Sequence, residues 1–298
     1  MKRRPIAVVG LGNMGIEIAA RLSEEFDVVA TDRDEARREA ARLRGIRAAD
    51  DLPALASAGT VLLSLPHPEA SEQVLDRLLP LLGDGAVIVE TSTVGPDDAE
   101  RLAERCRSGG ARFLEVALVS GVEQMRKGTA GLLVAGQESL VDDHRDLLAR
   151  LGRVRLVSSA VGSAMAAKLV VNGVSHAVMS VVVEAGALAV ASGVDSRALV
   201  DLLTDPDMGI TRPVTARYAG RIHERRYEGG MPVEAARKDW LLLRELADAK
   251  AVPLIAMPAA HEAYTVALRS IGARCDYSSI AELWAAWGRP ASTSESDG

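Results

Sequence analysis

A short apolar run, Ile6-Ala7-Val8-Val9, opens directly into Gly10-Leu11-Gly12-Asn13-Met14-Gly15 and then into a helical pattern over Met14 to Glu25. This order of strand, glycine turn and helix constrains the fold more than any other feature of the chain. Gly10 makes the tight turn, Gly12 lets a pyrophosphate approach the backbone, and Gly15 allows the helix to pack closely on the strand. Asp32 ends the next apolar run, Val28 to Thr31, 22 residues beyond Gly10. A carboxylate at that place accepts hydrogen bonds from both hydroxyls of a ribose and repels a 2'-phosphate, which favours NAD over NADP. Arg33 and Arg37 pull the other way, because a guanidinium just past the strand holds such a phosphate, so NADP stays open. The candidate cofactor contacts here are Gly10, Leu11, Gly12, Asn13, Met14, Gly15, Asp32 and Arg33.

Up to about Ser158 short apolar runs continue to alternate with amphipathic ones, the pattern of parallel strands joined by crossover helices. The further strands expected are Val61–Leu65, Val87–Glu90, Arg112–Val116, Leu132–Ala135 and Val154–Val157, and the helices between them Arg33–Leu43, Ala70–Leu79, Pro96–Arg107 and Leu140–Leu151. After Gly162 the strands stop. Ser163 to Ser192 reads as one long helix ended by Gly193, with Asp195 capping the next. Ser196–Leu203, Pro232–Lys250, Leu254–Ser270 and Ser278–Trp287 read as helices too. The expectation is an α/β fold: a Rossmann-type N-terminal domain with a mainly parallel sheet over 1–161, then an all-α domain over 162–290 joined through the long helix, and a disordered polar tail over 291–298.

Charge and composition narrow the partners. The chain of 298 residues is 48% hydrophobic and 26% charged, the balance of a globular protein. A net charge of -6, with no basic block interleaved with aromatics, argues against nucleic acid. The basic start, Met1-Lys2-Arg3-Arg4-Pro5, leads into a strand and not into an apolar signal core, so the reading is cytoplasmic. Cys106 and Cys275 lack any spacing that holds zinc or forms a redox pair, so no metal is expected and both read as free thiols. The weakly charged stretch Leu169 to Val183 is shorter than the roughly 20 apolar residues of a bilayer span and contains Asn172 and His176, so a helix buried in protein is expected and no membrane partner.

Two loops at carboxyl ends of strands, Leu65-Pro66-His67-Pro68 and Thr91-Ser92-Thr93, lie where ligands collect in open parallel sheets. Between two prolines His67 reads as a solvated loop residue. Thr93 serves a cofactor or caps the helix opened by Pro96. On the long helix Lys168 and Asn172 are four residues apart, hence on one face about 6 Å from each other. An amine against an apolar wall has a lowered pKa and moves a proton to or from a substrate oxygen, with an amide to hold it. His176 stands one turn further. The plain alternative is a lysine that snorkels to solvent.

Four blocks, in order, resemble the β-hydroxyacid dehydrogenases, the family of 3-hydroxyisobutyrate dehydrogenase and tartronate semialdehyde reductase. They are Gly10 to Gly15; Val119-Ser120-Gly121 with Gly128-Thr129; Gly162 to Asn172; and Lys238-Asp239. The resemblance spans about residues 5 to 287. It implies hydride transfer between a nicotinamide and a small 3-hydroxy acid or its semialdehyde, with Lys168 as general acid and base and Asn172 orienting it. It implies Ser120 and Gly121 as the site of the substrate carboxylate, Lys238 near the nicotinamide side of the cleft, and Leu65, Pro66 and Thr93 as cofactor contacts. It also implies dimers or tetramers, to which a long helix rich in Ala, Val and Gly is suited. Where the family reads Asp-Ala-Pro-Val-Ser-Gly-Gly, this chain reads Glu115-Val116-Ala117-Leu118-Val119-Ser120-Gly121-Val122, with one extra residue and neither the proline nor the second glycine. Related imine reductases commonly carry Asp or Tyr where Lys168 stands. Imine reduction and dinucleotide binding without chemistry remain the alternatives.

Overall fold

The computed structural model describes residues 4–285, and contacts divide it into two units, one up to Val174 and one from Ser175 on. The first unit is a seven-stranded sheet in the order β2-β1-β3-β4-β5-β6-β7. Its strands are β1 (Ile6–Val9), β2 (Val28–Thr31), β3 (Thr60–Leu63), β4 (Val87–Glu90), β5 (Arg112–Leu118), β6 (Ala130–Ala135) and β7 (Gly152–Ser158). The helices between them are α1 (Asn13–Ser23), α2 (Glu35–Leu43), α3 (Pro68–Leu78), α4 (Pro96–Ser108), α5 (Val122–Arg126), α6 (Glu138–Asp143) and α7 (Arg145–Leu151). All neighbouring pairs are parallel except β5 and β6.

The strands read as unbroken apolar runs because both faces of the sheet are covered. Ile6, Val8, Leu62, Val89 and Leu114 pack on one side with Ile18 and Leu22 of α1, while Ala7, Val9, Val61, Leu63 and Ile88 pack on the other with Leu75, Leu102 and Cys106. Each fully buried leucine contributes about 1.5–3 kcal/mol. A second tie fixes α1: the buried Glu17 carboxylate accepts from Arg44 at 2.8 Å and from Arg126 of α5 at 3.1 Å, and the hydrogen bond from Arg44 holds its pKa below the usual carboxylate range.

Among the helices of this unit the sequence expectation fails at two places. The stretch expected as one helix over Leu140–Leu151 is two, broken at His144, whose Nδ1 donates to the Leu140 carbonyl and whose Nε2 meets Thr60 Oγ1 at 3.2 Å. Helix α5 was not anticipated, and a single turn between two strands has no periodicity to reveal it.

The second unit is helical: the greater part of α8 (Ser163–Ala191), then α9 (Ser196–Thr204), a π-helical segment Pro213–Ile222, α10 (Val233–Ala249), α11 (Ala256–Ser270) and a 3-10 segment Tyr277–Trp284. The split falls inside α8 and not at its start, because its first turns pack on the sheet: Ala164, Met165 and Lys168 are buried there. Further along, Glu184 accepts from the backbone N–H groups of Ile255, Ala256 and Met257 and so caps α11. Trp240 stacks on His261 with ring centroids 4.3 Å apart. The expected burial of α8 is not what the single chain shows. By length and composition alone the 29-residue helix is apolar and long enough to cross a membrane, and Val170, Val174, Met179, Val183 and Val190 are exposed. Trp287 and the tail 291–298 lie outside the described residues.

Candidate active site

The glycine turn leaves no room for side chains. A Cβ on Gly10 would sit 2.2 Å from the Ser64 carbonyl oxygen, and one on Gly15 would sit 1.9 Å from the carbonyl oxygen of Gly10. Gly10 also takes a φ of +96°, which an L side chain disfavours. Gly12 caps helix α1, with no side chain bonded over the helix's first N–H groups, the arrangement that receives a phosphate. At the end of β2 the buried Asp32 carboxylate accepts from Leu11 N at 2.7 Å and Asp34 N at 2.9 Å, and keeps lone pairs for ribose hydroxyls. The cradle therefore fits a dinucleotide. Arg33 is exposed; it is Arg37 whose guanidinium reaches Asp32, at 3.4 Å, and lies beside Gly12.

Beyond the turn the carboxyl ends of β3, β4 and β5 and the start of α8 enclose a cavity of about 490 Å³. Met14, Leu65, Thr93, Ser120, Gly121, Lys168 and Asn172 line it, together with Thr91, Ser92 and Val119 from the loop and block marked in the sequence, and Ser64 and Leu118, which sequence reading did not assign to the site. Pro66 is exposed beside Leu65, and His67 caps α3 by accepting from Ala70 N. Ser92 belongs to the site's frame: its Oγ accepts from Leu65 N at 2.8 Å, and its own N–H donates to the buried Glu90, so one residue ties the two cofactor-facing loops together. Burial pushes the Glu90 carboxyl up.

Lys168 is buried to 6% exposure, and desolvation holds its pKa below the usual lysine range. Its Nζ donates to Thr93 Oγ1 at 2.6 Å. The side chain on the amine is thus that of Thr93, which sequence reading placed against the cofactor, while Asn172 faces the same cavity from the next turn. Ser120 Oγ accepts from Gly131 N at 2.7 Å, which leaves its hydroxyl hydrogen free to donate to an anion. Gly131 is a residue that sequence reading missed; a Cβ there would meet Val119 at 2.8 Å. Lys238 belongs to the second unit, where it is exposed and pairs with Asp239 at 3.4 Å. His176 is exposed.

A dinucleotide cradle that leads into a cavity with a buried amine and anion donors defines a nicotinamide-dependent oxidoreductase. Comparison with known proteins agrees. Residues 5–173 match the NAD binding domain of 6-phosphogluconate dehydrogenase, and residues 162–284 match the NAD-binding of NADP-dependent 3-hydroxyisobutyrate dehydrogenase. The chain belongs to this family of NAD(P)-dependent dehydrogenases, which act on the hydroxyl groups of hydroxy acids. It is 26% identical to the NAD-dependent L-serine dehydrogenase of Pseudomonas aeruginosa over 94% of this chain and 98% of that one. It is 25% identical to the mitochondrial 3-hydroxyisobutyrate dehydrogenase of Rattus norvegicus over 93% and 86%. Among solved structures an imine reductase from Pseudomonas sp. shares the fold, with a TM-score of 0.83 at 20% identity over 94% of this chain and 99% of that one.

Proposed function

We propose that this chain interconverts a small 3-hydroxy acid and its semialdehyde, with the proton passing between Lys168 Nζ and the substrate oxygen. The observation that carries the reading is a buried amine, fixed by Thr93, in one cavity with the Ser120 hydroxyl. A bound nicotinamide dinucleotide supplies the hydride in one direction and accepts it in the other. In reduction the Lys168 ammonium gives its proton to the carbonyl oxygen and becomes neutral; in oxidation the neutral amine takes the hydroxyl proton. Burial brings its pKa down, so the neutral base costs less to form than on an exposed lysine. The Ser120 hydroxyl and the N–H groups beside Gly121 receive the carboxylate, and Asn172 orients the oxygen that gains or loses the proton. L-serine and 3-hydroxyisobutyrate, the compounds in the names of the two relatives, share this pattern of a carboxylate and a β-hydroxyl. Asp32 favours NAD over NADP, and Arg37 softens that preference by offsetting part of its charge.

The test is a panel of 3-hydroxy acids, semialdehydes and cyclic imines with NAD(H) and NADP(H). Turnover of a 3-hydroxy acid is expected. Reduction confined to imines, or cofactor binding without hydride transfer to any of them, overturns the reading. Reduction should slow as pH rises through the Lys168 pKa and oxidation should quicken through the same midpoint, below the ordinary lysine range. Profiles without that shared midpoint would contradict Lys168 as the proton carrier.

We also propose that a second copy of the chain covers the apolar stripe of α8. The stripe is larger than the scattered apolar exposure of a monomer, and the same helix carries the Glu184 carboxylate, bound to N–H groups at the start of α11, a charge that a helix crossing lipid would bury at high cost. Light scattering should give a dimer or larger, and Val183→Glu should shift it toward monomer. A wild-type monomer in solution, or a chain soluble only with detergent, would sink this assignment.

A further inference from the structure

Glu115 has no place in the chemistry described above, yet its side chain is completely buried at the start of the helix that carries the proton donor. It stands in β5, the strand that runs on through Leu118 to Ser120 and Gly121. Its carboxylate reaches across to α8, where Oε2 accepts from Gly162 N and Oε1 from Met165 N, each at 2.6 Å. Gly162 makes this approach possible. It takes a φ of +92°, and a Cβ there would press on the Pro96 carbonyl oxygen at 3.2 Å. Lys168 follows Met165 by three residues, one turn further along the same helix.

We propose that Glu115 is a positioning residue, which sets the place of Lys168 relative to the Ser120 anchor by clamping the first turn of α8 to β5. The inference rests on the proposed role of Lys168 and deepens it. The physical case is the accounting of the helix end. The first N–H groups of α8 have no intrahelical acceptors, and a buried helix start without partners loses about 1–3 kcal/mol per group. A carboxylate from the neighbouring strand satisfies two of them at once and lies at the positive end of the helix dipole. Because the same strand holds the substrate loop, the distance between anion site and amine is set through one stiff segment of backbone and one side chain. Glu90 of β4, the register partner of Glu115, is engaged by Ser92 N, and burial, with the charge of Glu100 of α4 added, pushes the Glu115 carboxyl up while the helix N–H groups pull it down. Glu115 does not line the cavity, which separates its role from those of Ser120 and Lys168.

Glu115→Gln replaces one acceptor oxygen by an N–H₂ that faces a backbone N–H, and Glu115→Asp keeps the charge with a shorter reach. In Glu115→Gln, amide hydrogen exchange over residues 162–168 should quicken by about tenfold or more relative to the rest of the sheet, the free-energy equivalent of one lost hydrogen bond. Per mole of bound NADH, kcat should fall by about 10-fold to 100-fold while the cofactor Kd stays within about twofold, the loss that a displacement near 1 Å produces. Glu115→Asp should recover part of kcat. Unchanged exchange removes the clamp. Faster exchange with unchanged kcat, or a loss confined to folded yield, removes the positioning role. Should Glu115→Gln fail to fold, Glu115→Asp decides by the same two measurements. A wild-type protein inert on the whole substrate panel sinks the functional reading instead, and hydrogen exchange by itself then decides whether the clamp exists.

Discussion

Replacing Lys168 by alanine lowers kcat by about 10²-fold to 10⁴-fold, the range that a lost general acid–base costs, and leaves dinucleotide binding within about twofold. The two effects separate because the residues involved are separate. The cradle is built from Gly10 to Gly15 and Asp32, whose bonds to Leu11 and Asp34 do not pass through α8. Lys168 bonds to Thr93, a side chain open to solvent, so the truncation leaves that hydroxyl able to turn to water. Lys168→Arg is expected to fail as well. A guanidinium keeps the positive charge but does not give up its proton near neutral pH. Measuring NADH binding by fluorescence beside steady-state turnover checks both halves, and an active Lys168→Ala enzyme would end the proposed mechanism.

Gly15→Ala is expected to be among the most damaging single methyls at the described residues. Its Cβ would stand 1.9 Å from the Gly10 carbonyl oxygen, so the turn must open by more than about 1 Å or the helix must lift from β1. Overpacking of this kind costs about 1–3 kcal/mol and more where backbone cannot yield. At about 2–4 °C per kcal/mol for a unit of this size, a Tm loss of roughly 10 °C is expected together with loss of NADH binding. Gly45→Ala is the control for the opposite case: Gly15 lies inside α1 without a left-handed φ, whereas Gly45 has a φ of +77° and nothing lies within 4 Å of its added Cβ. It should cost about 1–2 kcal/mol and spare the cofactor. Equal effects at the two positions would show that the close approach at Gly15 costs no more than the left-handed φ at Gly45, and would end the steric reading of the turn.

Much of the fold was legible because its signals are local. Strand β1, the glycine turn and α1 carry their identity in consecutive residues, and apolar runs recur wherever a strand is covered on both faces. The change from strands to helices after Gly162 was equally plain, and α8 was expected over Ser163–Ser192 and ends at Ala191. What escaped depends on partners distant in sequence. The π-helical segment Pro213–Ile222 fell where no individual helix was assigned, between those expected over Ser196–Leu203 and Pro232–Lys250. The reversal of β6 against β5 depends on how the chain returns past α5. The exposed stripe of α8 read as interior because apolar residues look alike whether they face a core or a partner.

In the site the division is similar. Lys168 and Asn172 share a helix face by spacing alone, and Ser120 and Gly121 were found by resemblance. That Thr93 receives the amine, that Gly131 frees the Ser120 hydrogen to donate, and that Glu115 bolts α8 to β5 all rest on contacts between strands and loops distant along the chain. The amino-acid sequence by itself determined the cofactor class, the two-part α/β and all-α plan and the lysine with its helix-face neighbour, because each is written in short-range spacing that the backbone converts directly into geometry. Only the tertiary structure decided which groups hold that lysine, how deeply it is buried and therefore which way its pKa moves, because burial and hydrogen bonding are properties of the assembled neighbourhood and not of any stretch of chain.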